Sequence, residues 1–92
     1  MWFRRVAFTG NTETYSVSVE KGQTVSLTCY TTNLRMANFE QDLADGMNNL
    51  LIPCDTANKG LSPFSFVVDE TCILYFTPDT NATAVLSVMV LN

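Results

Sequence analysis

The chain has 92 residues, so we expect one domain, residues 1–92, with a single modest core. Nine acidic residues against five basic ones give a net charge of −4, which argues against nucleic acid as a partner, because contacts to a phosphate backbone need a basic surface. Charged residues make up only 15% of the chain and hydrophobic ones 47%, a balance that predicts an apolar surface in contact with a partner.

The first segment, Trp2–Phe8, has apolar residues on either side of Arg4 and Arg5. This pattern predicts an edge strand, since basic residues on an edge discourage unwanted strand pairing. The arginines also interrupt what would otherwise resemble a secretory signal. No stretch of the chain reaches the roughly 18 apolar residues that span a bilayer, so neither an export signal nor a membrane partner is expected.

Two alternating runs follow, Tyr15–Glu20 and Gln23–Thr31, with the period of two that is typical of half-buried strands. Lys21–Gly22 joins them. The first choice for this connection is a hairpin, because glycine adopts the left-handed conformation that hairpin turns need. The alternative is a turn that carries the chain from one sheet to another.

The hydrophobic period then changes to steps of three and four residues, at Phe39, Leu43, Met47, Leu50 and Leu51. With Asn38 as the N-cap and Gln41 as its capping-box partner, this spacing predicts a short helix near Phe39–Asp45. We expect the helix to lie across an open end of the sandwich and to bury Phe39 and Leu43.

Strands and one long loop are predicted for the rest of the chain. A short strand, Asn49–Ile52, is ended by Pro53, and Asp55–Pro63 has the composition of an exposed loop. Three more strands are expected at Phe64–Val68, Thr71–Thr77 and Thr83–Leu91. The predicted core is the set of inward apolar residues on all these strands: Tyr15, Val17, Val19, Val25, Leu27, Phe64, Phe66, Leu74, Phe76, Leu86 and Val88.

The last two strands are apolar on both faces. In the final strand Ala84, Leu86, Val88 and Val90 alternate with Val85, Ser87, Met89 and Leu91. A strand of a small antiparallel sandwich normally exposes one face to water, so the outer faces of these strands should be covered. Two explanations remain for what covers these faces. One is the helix or the first strand of the same chain, and the other is a neighbouring subunit.

No reactive constellation is visible. Histidine, the commonest catalytic base, is absent, and the spacing of the carboxylates does not single out a catalytic pair. The three cysteines, Cys29, Cys54 and Cys72, match no compact metal motif, and a zinc site without histidine would need all three thiolates and a further ligand. We therefore expect no enzyme, no cofactor and no metal. Free buried thiols are favoured over one bridge with a leftover thiol.

The pattern predicts a mainly β fold: an antiparallel β-sandwich of six to eight strands, Ig-like or jelly-roll in type, with one short helix. Residues 18–29 resemble the A′–B region of immunoglobulin-like domains, and Thr83–Leu91 resembles their closing strand. This resemblance implies a possible disulfide between Cys29 and Cys72. The strand pattern is also similar to small carbohydrate-binding and prepeptidase-type modules and to the accessory or decoration proteins of bacteriophage capsids.

These observations predict a non-enzymatic structural or assembly protein, a viral or phage virion component of the capsid accessory or decoration type. If viral it is expected in the virion, and otherwise as a soluble protein. Its partners would be neighbouring subunits of a larger assembly, copies of itself among them, bound through apolar strand faces. The contact candidates are aromatic or apolar: Trp2, Phe3, Tyr30, Tyr75, Met89 and Leu91. The alternative is a soluble carbohydrate- or ligand-binding module, with Tyr30 and Tyr75 as a stacking platform.

Overall fold

A computed structural model describes residues 1–55 and 63–92, which form two four-stranded sheets around one core. The strands are β1 (Trp2–Phe8), β2 (Tyr15–Val19), β3 (Thr24–Tyr30), β4 (Leu34–Ala37), β5 (Leu50–Ile52), β6 (Phe64–Val67), β7 (Cys72–Pro78) and β8 (Ala84–Leu91). A short 3-10 helix, η1 (Glu40–Ala44), lies between β4 and β5.

The strand order is that of a jelly roll. One sheet, which we call the front sheet, has the order β1-β8-β3-β6, and the other, the back sheet, has the order β2-β7-β4-β5. Neighbouring strands within each sheet are antiparallel. The chain therefore alternates between sheets except at the β4–β5 hairpin, which is the double Greek key arrangement of jelly rolls. The predicted antiparallel sandwich is confirmed, and the strand order decides between its two types.

The connection at Lys21–Gly22 is not a hairpin, so the first prediction for it is wrong. β2 pairs with β7 in the back sheet and β3 pairs with β8 and β6 in the front sheet. The turn carries the chain from one sheet to the other, as the alternative proposed. Gly22 has φ of 92°, and its N–H donates to the carbonyl of Val68 at 2.9 Å.

The predicted core residues occupy the space between the sheets. Seven of them are buried: Val19, Val25, Leu27, Leu74, Phe76, Leu86 and Val88. The other four are half-buried and pack against this cluster: Tyr15, Val17, Phe64 and Phe66. The alternation of the strands thus predicted the inward faces correctly.

The predicted helix exists only as the five-residue η1 turn. Its N-cap is Phe39 and has no side-chain capping hydrogen bond, so the predicted cap at Asn38 is wrong. The burial of Phe39 is also wrong, because this side chain is 61% exposed. One 3-10 turn is too short to present an apolar stripe. It packs on β4 and β7 at the outer side of the back sheet rather than across an open end.

Sequence reasoning missed β4, which lies inside the segment with helical spacing. Leu34 faces the core and is fully buried, while Ala37 lies on the outer side of the strand and is nevertheless buried. The η1 turn covers that side. Because the outer side of this four-residue strand is also covered, apolar and polar residues do not alternate regularly along it. The pattern that predicts strands is therefore missing from β4.

Most of the predicted loop after Asp55, residues 56–62, lies outside the described residues. Asp55 itself forms an isolated parallel bridge with Tyr30 at the end of β3. Along residues 1–55 and 63–92, no helix has the length and apolar character needed to cross a membrane.

Candidate binding surfaces

The outward side of the front sheet is a nearly uncharged surface. Alternation along its four strands places thirteen side chains there, which we call the front face: Phe3, Arg5, Ala7, Thr24, Ser26, Thr28, Tyr30, Ser65, Val67, Val85, Ser87, Met89 and Leu91. Arg5 carries the single charge in this set.

Large apolar side chains on the front face remain accessible to solvent. Phe3 is 61% exposed, Val67 59% and Met89 37%, and the strand register places Phe3 directly beside Met89. Much of the remaining surface consists of hydroxyl groups, of which Ser65 donates to Ser26 at 3.2 Å. Removing such a surface from water costs little, because few charges have to be desolvated.

Four of the six predicted contact residues lie on the front face: Phe3, Tyr30, Met89 and Leu91. Trp2 points the opposite way from Phe3 and packs, half-buried, against the core. Tyr75 lies on the outward side of the back sheet, opposite Ser16 and Ala37 in register. Tyr30 and Tyr75 are therefore on opposite sides of the sandwich, and this pair cannot form one stacking platform.

The back sheet carries an open groove of about 450 Å³ beside the start of β7. Its lining residues are Asn38, Phe39, Glu70, Thr71, Cys72, Ile73 and Tyr75. Phe39 and Ile73 are 61% and 42% exposed, so the groove combines two exposed apolar side chains with a tyrosine and a carboxylate. Sequence reasoning missed Phe39 as a surface residue because the expected helix was thought to bury it.

A second cleft, of about 480 Å³, lies where η1 meets the back sheet. Arg35 Nε donates to Asp79 Oδ1 at 2.7 Å, and Arg35 Nη1 donates to Asn49 Oδ1 at 3.1 Å. The Asn49 amide in turn donates to the carbonyl of Asp42, within the 3-10 turn, at 2.8 Å. Arg35 and Asn49 thus join β4, the end of β7 and η1, and we assign them a structural role.

A comparison of this chain with family models, with curated proteins and with solved structures found no match.

The three cysteines are free thiols. Cys72 pairs with Val19 beside the β2–β3 turn, whereas Cys29 lies near the far end of β3. From Thr24 to Cys29 the strand advances about 17 Å at about 3.3 Å per residue. A disulfide requires Cα atoms within about 7 Å, so the Cys29–Cys72 bridge implied by the immunoglobulin resemblance does not form in this fold.

Cys29 and Cys72 are poor nucleophiles at neutral pH. Burial, with a smaller contribution from the neighbouring Cys54, raises the pKa of Cys29 to about 11. Burial also raises the pKa of Cys72, and the carboxylate of Glu70 adds to this effect. Both groups are therefore protonated thiols near pH 7.

In residues 1–55 and 63–92, no group of three or more histidine, cysteine, aspartate or glutamate side chains is placed to hold a metal ion. Asp45 accepts hydrogen bonds from the Met47 N–H and the Asn48 amide, both at 2.8 Å, and so closes the turn after η1.

Proposed function

We propose that this protein is a non-enzymatic structural component of a virion, of the capsid accessory or decoration type. It binds neighbouring subunits, copies of itself included, through the front face. The observation that carries this proposal is the composition of that face: three exposed large apolar side chains, Phe3, Val67 and Met89, on a sheet surface with one charged residue. An isolated monomer gains nothing from such a surface, whereas a lattice subunit buries it.

The size of the front face limits how tightly two copies associate. Three strands of seven or eight residues and one of four, about 4.8 Å apart, present roughly 400 Å². Stable specific interfaces bury about 800 Å² per partner. One front face therefore supports only weak association between two copies. The overall affinity rises when each subunit makes several such contacts in an assembly.

The edge of the front sheet adds a second means of contact. β1 is an edge strand of this sheet, and its Phe3 belongs to the front face. Arg4 and Arg5 discourage pairing of β1 with an unselected strand, whereas a neighbouring chain with acidic side chains beside them can add a strand there. Such a strand gains main-chain hydrogen bonds while it covers the adjoining apolar side chains. The jelly-roll order supports the same proposal by analogy, since this architecture is common in viral capsid proteins, although a fold alone does not assign a function.

Met89→Glu is expected to abolish self-association, because it places a carboxylate at the centre of the front face. The matched control is Ile73→Glu, an outward position on the central strand of the other sheet, with 42% exposure against 37% for Met89. Sedimentation velocity over a concentration series, with reductant present, measures the effect. Wild type and Ile73→Glu should gain mass with concentration, while Met89→Glu stays at the 10.2 kDa monomer.

Two results would contradict this proposal: a wild-type chain that stays monomeric throughout the series, or equal loss of association in both variants. Circular dichroism confirms that each variant is folded. Trp2→Ala is unsuitable as an interface test, since Trp2 packs against the core and its loss would change stability as well.

The groove at Phe39, Ile73 and Tyr75 supports a second candidate function, carbohydrate binding. Exposed aromatic rings stack on the apolar faces of sugars, and Glu70 supplies a hydrogen-bond acceptor for hydroxyl groups. Lectin domains are another common use of the jelly roll. This candidate replaces the Tyr30–Tyr75 platform with a Phe39–Tyr75 pair on one side of the sandwich.

A glycan array followed by calorimetry tests the second candidate. Phe39→Ala should weaken binding of any captured glycan about 5- to 10-fold, the loss expected for one aromatic contact. Tyr30→Ala, on the opposite side of the sandwich, is the control and should bind as wild type does. Absence of binding across the array, or equal weakening in both variants, removes this candidate.

A further inference from the structure

The sulfur of Cys29 lies against the backbone that leads into Cys54. Cys29 faces the core from β3 and is 1% exposed. Its thiol donates to the carbonyl oxygen of Pro53 at 3.1 Å and contacts that of Ile52 at 3.4 Å. Pro53 is bonded directly to Cys54, so the two cysteines are close in space although 24 residues separate them along the chain.

A parallel bridge fixes the relation between the two cysteines. Tyr30 and Asp55 are bridge partners, and the Asp55 N–H donates to the carbonyl of Cys29 at 2.8 Å. Cys29 and Cys54 each precede one partner of this bridge, and side chains alternate along extended backbone, so both point to the same side. Cys54 packs, half-buried, against the core cluster that contains Cys29. Adjacent strands lie about 4.8 Å apart, within the Cα separation of about 4.4–6.8 Å that disulfides use.

The two thiols differ in accessibility. Cys54 is partly buried and Cys29 is 1% exposed, so Cys54 is the thiol of this pair that a dissolved reagent meets first. Cys29 also borders an apolar recess of about 160 Å³, shared with Pro53 and Phe64.

We propose that Cys29 and Cys54 form a closable dithiol, in which Cys54 reacts first with a small-molecule disulfide and Cys29 then closes an intramolecular bond. In the first step the Cys54 thiolate attacks one sulfur of the reagent, and one reagent thiolate leaves. In the second step Cys29 loses its proton to solvent and its thiolate attacks the Cys54 sulfur, so that the second reagent thiolate leaves. The two protein thiols are oxidised to one disulfide, and the reagent is reduced to two thiols.

The chemistry of Cys29 determines the rate of the second step. Because the pKa of this thiol is about 11, its thiolate fraction rises about tenfold per pH unit below that value. Closure should accelerate accordingly between about pH 7 and pH 10. The bond closes a loop that contains β4, η1 and β5, and we expect the melting temperature to rise by about 5–15 °C.

The experiment uses the full chain carrying Cys72→Ser, which keeps the proposed pair and removes the third thiol. The protein is incubated with oxidised glutathione, quenched with N-ethylmaleimide and analysed by intact mass and peptide mapping. The expected product has no glutathione, no alkylated cysteine and a Cys29–Cys54 crosslink. In Cys29→Ser/Cys72→Ser the reaction should stop at a glutathione adduct on Cys54.

The proposal is overturned if the Cys72→Ser chain accumulates a stable glutathione adduct at high pH, or if both remaining thiols are alkylated after prolonged incubation. A crosslink that joins Cys72 to either partner in the wild-type chain also overturns it. Mapping of the Cys72→Ser product does not depend on whether the Cys29→Ser variant folds, so the test remains decisive.

Discussion

Phe76→Ala is expected to remove about 3–5 kcal/mol from the free energy of unfolding, the usual cost of deleting a large buried aromatic side chain. Phe76 is 0% exposed at the centre of the back sheet, between Tyr15 and Met36 in register. Its ring also stacks on that of Tyr15, with centroids 6.3 Å apart. A domain of this size has about 5–10 kcal/mol of net stability, so the variant should be close to unfolding at 37 °C.

Phe39→Ala is the control for this substitution, since it deletes the same atoms from a side chain that is 61% exposed. Its effect should stay within about 0.5 kcal/mol. Urea unfolding of both variants, followed by tryptophan fluorescence with reductant present, measures the difference. A loss below about 1 kcal/mol for Phe76→Ala would mean that the two sheets do not pack as described.

Gly22→Ala should cost about 1–2 kcal/mol, although a methyl group at this position meets no atom within 4 Å. The cause is the backbone alone: φ of 92° is a conformation that residues with a Cβ rarely adopt. Relaxing it would also weaken the hydrogen bond from the Gly22 N–H to Val68, which holds the crossing turn.

Gly46→Ala is the matched control, because a methyl group there also meets open space, and among the described residues Gly22 is the glycine with positive φ. Alanine at Gly46 should leave stability unchanged or raise it by up to about 1 kcal/mol, through a less disordered unfolded chain. Thermal melts of both variants measure their stability relative to the wild-type chain. Equal stability for the two would show that the turn has no left-handed residue at position 22.

Local alternation was sufficient to predict most strands. The observed β1, Trp2–Phe8, matches its prediction, and the predicted Thr83–Leu91 differs from β8 by one residue. Each of these strands has one side in the core, so burial imposes a period of two on its own residues. The same reasoning failed between Asn33 and Asn49, because η1 buries the outer side of β4 and the helical spacing there is fortuitous.

The candidate surfaces were predictable only in part. Apolar residues at Met89 and Leu91 on the outward side of a strand predicted a covered face, and in the structure Met89 is 37% exposed on the front face. Phe3 belongs to the same face because it pairs with Met89. These residues are 86 positions apart in the chain, so a local sequence pattern does not reveal the pairing. The groove at Phe39 depends on a turn whose length the sequence pattern overestimated.

The sequence by itself determined the class of fold, the inward residues and the absence of histidine chemistry, since these depend on residue type and on neighbours a few positions apart. The tertiary structure decided the sheet to which each strand belongs, and hence the jelly-roll order, the grouping of four contact candidates on the front face and the approach of Cys54 to Cys29. The physical reason is that a tight turn such as Lys21–Gly22 joins two strands equally well within a sheet or between sheets. Long-range packing decides whether such a turn stays within one sheet or crosses to the other. Local periodicity carries no information about this choice.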